Sequence, residues 1–276
     1  PRMKPAPFTH DIPQTLVMAN KTMAAEGAKI VAGGQSIGPM LNLRLVRPTS
    51  LVGIAHLDEL RSVQVKGDTL SIGAAVTHAE IEDGMDGIEF PPMLRHVARS
   101  IAYRAVRNKG TVGGSLAHAD PAADWVTTMT ALGADLVIQK GRGKARREPM
   151  AGFMRGAYRT GLQSGEVILA IEMPVAMNQA LWGYEKICRK VGEFADAIGA
   201  VVIHPDLKYA RVVVGATEDT PVLLDDMAHH IASTATAPSL QDIDAALAAL
   251  LPGASVIKRQ LLKTALSRAI AKVIPS

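Results

Sequence analysis

The sequence predicts an α+β protein in two parts, residues 1–174 and 175–276. Three observations predict it. Beyond Pro174, three strand-like runs precede three helix-like runs, the order of a small antiparallel sheet packed with helices. Before it, short strands and helices interleave around two glycine-rich segments, Ala32-Gly33-Gly34-Gln35-Ser36 and Thr111-Val112-Gly113-Gly114-Ser115. The chain of 276 residues is 48% hydrophobic and 20% charged, a globular composition with enough length to bury a real core.

In order along the chain, residues 16–26 carry apolar or small side chains at helical spacing and stop at Gly27. Residues 29–32 read as a short buried strand running into Gly33-Gly34. Ser36 is placed to cap a short helix through Arg44, with Pro39 tolerated in its first turn. A strand follows at 50–54, and 63–66 with 70–73 flank Gly67-Asp68 as a hairpin. Residues 92–101 have a helical pattern. Asp120 stands at an N-cap position, with Pro121 first in the helix and Asp124 in its first turn, and the apolar stretch runs to Leu132 and Gly133. Residues 135–140 and the Lys144 region form a hairpin around Gly141-Arg142-Gly143. An alternating strand at 167–173 is closed by Pro174. Strands at 181–187, 197–203 and 209–216 and helices at 221–233, 241–251 and 257–273 complete the chain.

The net charge of +4 is too mild to require a nucleic acid or a membrane surface. No apolar run approaches the ~20 residues of a membrane span, and no signal peptide precedes the first charges. Pro1 and Arg2 read as a processing remnant ahead of Met3. Cys188, the single cysteine, excludes an intrachain disulfide and any cysteine-ligated iron–sulfur cluster on this chain. The expected setting is soluble, reduced and cytoplasmic. There is no Gly-x-x-x-x-Gly-Lys-Ser/Thr phosphate loop and no Gly-x-Gly-x-x-Gly after a strand, which disfavours nucleotide triphosphatases and standard dinucleotide folds.

Consecutive glycines let a backbone approach a ligand closely and turn its N–H groups inward as a nest for phosphate oxygens. One such pair reads as a plain turn. Two with matching hydroxyls read as halves of a diphosphate cradle, the first in the strand–glycine–helix order that anion binding prefers. Other chemistry-bearing residues have plainer readings. His118 lacks a spaced partner and reads as structural, His229-His230 as solvated surface, and Cys188 as packing. Arg107 and Asn108 fix the turn that aims the second glycine segment. Lys140, Arg142, Lys144, Arg146 and Arg147 read as a solvated hairpin, since aromatics at 4% supply no stacking platform for nucleic acid.

Taken together, these segments resemble one family. Ala32 to Ser36, followed by Leu43-Arg44-Leu45 and Pro48, is similar to the first FAD-binding segment of the medium, flavin-carrying subunits of molybdenum hydroxylases. That group includes bacterial carbon monoxide dehydrogenase and xanthine dehydrogenase. Arg107-Asn108-Lys109-Gly110-Thr111-Val112-Gly113-Gly114-Ser115, running on through Leu116-Ala117-His118-Ala119-Asp120-Pro121-Ala122-Ala123-Asp124, resembles its second segment. Arg189-Lys190-Val191-Gly192-Glu193-Phe194-Ala195 resembles a third landmark, and Met3-Lys4-Pro5-Ala6-Pro7-Phe8 the usual opening.

The resemblance implies a two-subdomain FAD-binding domain of the PCMH type over residues 1–174 and a C-terminal α+β domain over 175–276. It implies that Ala32, Gly33, Gly34, Gln35, Ser36 and Ile37, with Thr111, Gly113, Gly114 and Ser115, hold the FAD diphosphate through backbone N–H groups and hydroxyls. Asp124 would hydrogen-bond near the flavin or its ribityl chain, Ile101 and Leu162 pack on the cofactor, and Lys186 contact it. Phe194 stands where the family often has a Tyr covering one flavin face; it keeps the stacking surface and loses the hydroxyl.

The implied function is an oxidoreductase subunit with no catalytic acid, base or nucleophile of its own. It would pass electrons from 2Fe-2S clusters on a small partner chain to an external acceptor. Substrate would be oxidised at molybdopterin on a large partner chain, within a dimer of heterotrimers. The alternative is a stand-alone FAD-dependent oxidase or reductase of the same broad fold. A non-enzymatic scaffold with degenerate glycine loops is a third.

Overall fold

A computed structural model describes residues 4–85 and 87–274. Pro1, Arg2 and Met3, taken above as the natural start and what precedes it, lie outside those residues. The chain opens with β1 (Thr9–Asp11), α1 (Leu16–Met23), β2 (Ala28–Val31), α2 (Ile37–Asn42) and β3 (Ser50–Gly53), whose strands make a parallel sheet in the order β1-β3-β2. Thr15 starts α1 by accepting a hydrogen bond from the Met18 N–H at 3.2 Å. The helix stops at Met23, short of the expected Glu26, and α2 stops at Asn42, short of Arg44. β1 was not expected: Thr-His-Asp has no apolar alternation, and its place comes from parallel pairing with β3 and from Ser50 Oγ donating to Asp11 at 2.8 Å. Leu16, Ala19, Val52, Ile54, Leu57 and Leu60 form a small core beneath this sheet.

The second unit starts with the expected hairpin, β4 (Val63–Lys66) and β5 (Thr69–Gly73). Five helices follow: α3 (His78–Asp83), α4 (Pro92–Ser100), α5 (Arg104–Arg107), α6 (Val112–His118) and α7 (Asp124–Ala131). The chain then adds β6 (Asp135–Lys140), β7 (Arg146–Pro149), the short pair β8 (Met154–Gly156) and β9 (Arg159–Thr160), and β10 (Glu166–Pro174). The resulting antiparallel sheet runs β4-β5-β10-β6-β7. Every residue of α7 is buried, as expected of a helix enclosed on all sides rather than lying on a surface.

Two local expectations are corrected here. Asp120 does not cap α7. Its carboxylate accepts from the Ala122 N–H at 2.9 Å and its carbonyl from the Ala123 N–H at 3.0 Å, closing a turn around Pro121. The helix therefore begins at Asp124. The second glycine segment is not a loop either. Thr111 is the N-cap of α6 and accepts from the Gly114 N–H at 3.1 Å, so both glycines are helical despite costing about 1 kcal/mol each against alanine.

The last part is a meander of β11 (Leu181–Ile187), β12 (Ala197–His204), β13 (Tyr209–Gly215) and β14 (Val222–Leu223), followed by α8 (Asp225–Thr234), α9 (Leu240–Leu250) and α10 (Val256–Ala271). β14 takes residues expected to begin a helix, because Val222 and Leu223 pair with Val214 and Val213 at the sheet edge. One face of this sheet, with Ala197, Val201, Val212 and Val214, packs on Leu262, Leu266 and Ala269 of α10. On the opposite face, Ile198, Ala200, Val202 and Val213 join the core around Trp125 and Met129 of α7. The sheet that follows Pro174 thus shares one core with the preceding unit and closes a second one under its own helices. Among the described residues, no helix is long and apolar enough to cross a membrane.

Candidate functional site

The two glycine segments meet by direct backbone contact. Gly33 lies against the Lys109 carbonyl and the Gly110 Cα so closely that a Cβ would overlap both. Gly110 rests in turn on the His78 ring, where a Cβ would come within 2.7 Å of Nε2. His78 is fixed from behind: the buried Trp125 indole N–H donates to its Nδ1 at 3.0 Å, and its own backbone N–H donates to the Gly110 carbonyl. With Nδ1 an acceptor, the ring proton belongs on Nε2. Burial, and secondarily the Arg107 charge, pulls the His78 pKa down to about 4, so the ring is neutral at physiological pH.

Along this seam runs a cleft of about 940 Å³, lined by all fifteen residues singled out from the sequence. Its size is at the upper end of the roughly 300–1,000 Å³ typical of cofactor pockets. Among the described residues, the backbone N–H groups of Gly33, Gly34, Gln35, Ser36 and Ile37 find no acceptor. The Ser36 and Ser115 hydroxyls make no hydrogen bond there either. The second segment is different. Val112 N–H donates to Val76 O, Gly113 N–H to Ala74 O, Gly114 N–H to Thr111 Oγ1 and Ser115 N–H to Thr111 O. Its amides are therefore spent within the fold, and it brings to the cleft hydroxyls and a surface bare of side chains.

The remaining walls are apolar and charged in turn. Ile101 and Leu162 are half-buried, and Phe194 is 62% exposed at the rim. Below them Asp124 accepts from Tyr184 Oη at 2.6 Å and from Lys186 Nζ at 3.0 Å, with the Asp124 and Lys186 side chains only 6% and 7% exposed. Burial first, and then the Asp124 charge, raises the Tyr184 pKa well above its ordinary value, so Tyr184 remains the donor. Such a donor set accommodates a large, partly apolar anion: unpaired amides for oxygens, apolar walls for rings, and an internally neutralised ion pair. No group of three or more His, Cys, Asp or Glu among the described residues is placed to hold a metal.

Residues set aside from the sequence also appear here. His118 lines the cleft, half-buried, its ring 5.2 Å from that of Tyr158, and burial lowers its pKa. His78 lines it too and was missed. Its signal was present, because Thr77 and Glu80 form a capping box at the start of α3, which places His78 first in that helix. The basic hairpin is partly neutralised: Arg146 pairs with Glu148 and Glu166, and Arg147 with Glu172.

Residues 7–176 match the family model described as FAD binding domain in molybdopterin dehydrogenase. The chain is 33% identical over 225 residues to the caffeine dehydrogenase subunit beta of Pseudomonas sp. (strain CBB1), covering 80% of this chain and 76% of that one. It is 35% identical over 203 residues to the carbon monoxide dehydrogenase medium chain of Hydrogenophaga pseudoflava, covering 73% and 70%. A solved structure of carbon monoxide dehydrogenase from Hydrogenophaga pseudoflava superimposes with a TM-score of 0.87 at 29% identity, over 98% of both chains. The seam of backbone contacts that frames the cleft thus falls within a matched domain named for its flavin, and this chain belongs to the molybdopterin dehydrogenase family as an FAD-binding, medium-type subunit of an oxidoreductase.

Proposed function

We propose that this chain holds FAD in the described cleft and acts as the electron-transfer subunit of a multi-subunit molybdenum hydroxylase. Electrons would reach it from 2Fe-2S clusters on a small partner chain, after substrate oxidation at molybdopterin on a large one. The observation that carries the reading is the row of five N–H groups at Gly33–Ile37, without an acceptor among the described residues, lining a cleft with apolar walls. Bound there, the flavin supplies exchange of electrons singly or in pairs, chemistry that belongs to the cofactor.

The chain's own residues bind and orient. The free amides and the Ser36 and Ser115 hydroxyls receive the diphosphate, while Thr111 keeps α6 capped beside them. Ile101, Leu162 and Phe194 flank the rings, and the apolar Phe194 face covers without donating a hydrogen bond. The Asp124–Lys186 ion pair, tied to Tyr184, lines the cleft as a fixed polar element. Residues 1–174 would make the flavin domain and 175–276 a buttress. The single cysteine at 188 supports placing the clusters on another chain. Relatives described as medium chains or lettered subunits support an assembly of unlike chains, here taken as a dimer of heterotrimers in the cytoplasm.

An absorbance spectrum of the purified protein, followed by acid release and identification of its flavin, tests this. Stoichiometric non-covalent FAD is expected, with iron–sulfur absorbance only when partner chains co-purify. A folded chain that stays colourless after FAD addition would overturn the reading, and substrate turnover by the lone chain would replace it with a stand-alone flavoenzyme.

A further inference from the structure

The sequence places Arg107 just ahead of the second glycine segment, where it reads as a turn-fixing residue. The structure gives it a wider reach. Its side chain is only 11% exposed. Nε donates to Glu82 Oε2 at 2.7 Å and Nη2 to Glu82 Oε1 at 3.3 Å, a two-pronged ion pair with α3. Nη1 donates to two successive carbonyls, Ile101 at 3.0 Å and Ala102 at 2.9 Å. Those two residues form the wall of the cleft beyond α4, with Ala102 at φ +42°.

The far side of that wall carries the rim. Ile101 pairs with Gly192 in an isolated parallel bridge. Gly192 sits at φ +90°, and a Cβ there would lie 3.0 Å from the Ala102 carbonyl oxygen. Only glycine combines that backbone with that approach. Phe194 follows two residues later, and beyond it the segment is tied down by Ala195 N–H to Ala122 O at 3.4 Å and Asp196 N–H to Ile187 O at 2.7 Å. Contacts therefore run without a gap from Glu82 through Arg107 and the Ile101–Ala102 backbone to Gly192 and the Phe194 rim.

We infer that Arg107 is a positioning residue for the cofactor's ring end: it fixes the Ile101–Ala102 wall and, through Gly192, the placement of Phe194. This rests on the FAD reading of the cleft. A planar guanidinium can serve one carboxylate and two carbonyls together, whereas an ammonium is a point charge with no such fork. Arg107 leaves the amides of Gly33–Ile37 untouched, so the diphosphate end should survive its loss.

The test uses the purified protein with FAD. If wild type takes up no FAD, the cleft reading and this inference fall together. With wild type loaded, Arg107→Lys and Arg107→Gln are expected to keep FAD affinity within about tenfold. Both should alter the visible circular dichroism and midpoint potential of the bound flavin in the direction that Phe194→Ala alters them. Combined with Phe194→Ala, Arg107→Gln should add little more, because both act on one placement. Additive effects, or an Arg107→Gln flavin spectrum identical to wild type, would overturn the inference while leaving the FAD reading intact. Should the Arg107 variants fail to fold, Gly192→Ala opens the same link from its other end. A shifted flavin signature there supports the inference, and an unchanged one sinks it.

Discussion

Asp124 is held by Tyr184 and Lys186 from β11, and that makes its removal a question of stability before one of cofactor chemistry. Asp124→Ala leaves the Lys186 ammonium buried without a counter-charge, which should cost about 3–5 kcal/mol in chemical denaturation. Removing both charges with Asp124→Ala/Lys186→Met should recover part of that loss. His78 gives a pH signature. The unfolded chain takes up a proton near pH 6.5, while the folded one resists until about 4. Its contribution is thus full above pH 6.5 and falls away towards 4, amounting to roughly 3 kcal/mol at most. Glu166, held down to about 2 chiefly by its hydrogen bond from Arg146, loses its share only below its ordinary 4.5. Denaturation midpoints should decline between pH 6.5 and 4.5 in wild type and decline less steeply in His78→Gln, where His96 and His118, both held below their ordinary value by burial, still contribute. At this scale the sequence was legible where residue type alone carried the message. The two glycine pairs and Asp124 could be picked out, but the His78–Trp125 bond joins residues 47 positions apart and leaves no local trace.

Elements were legible wherever periodicity and punctuation agreed. The hairpin at Gly67-Asp68, the strands from 181 to 215 and the last two helices lie where apolar spacing and turn residues put them. The misses share a cause, which is tertiary contact overriding local preference. α6 contains the very glycines that argue against a helix, and it persists because Thr111 caps it and Gly113 N–H donates to Ala74 O. β1 and β14 are too short for periodicity to register and exist only as partners of longer strands. Gly114→Val tests the element and the seam together. A side chain there meets Thr111 Oγ1 at 2.7 Å and then Ala32 Cβ at 3.5 Å, prying α6 from the first glycine segment. FAD retention should be lost, measured as flavin per chain after desalting; retention equal to wild type would remove the seam from the cradle.

For the molecule as a whole, the division at Pro174 is a change of sheet within a shared interior. Trp125 and Met129 of α7 pack in the same core as Ile198, Val202 and Val213 from the C-terminal sheet. A two-part reading from element order cannot see this, since contact between a helix and strands some way further along the chain has no sequence signature. Thermal unfolding of the intact chain should accordingly show one cooperative transition, with far-UV and tryptophan signals coincident. Two separated transitions would mean that the parts unfold independently.

The stack of Gly33 on Gly110, Gly110 on His78 and His78 on Trp125 puts nothing compressible between the cradle and the interior. Its width is therefore a property of the folded interior and exists before any cofactor arrives. The consequence is kinetic. Uptake of FAD by the apo-chain should rise in proportion to FAD concentration, as one bimolecular step, with no plateau from a slow opening. A saturating rate would mean that the stack parts to let the dinucleotide in.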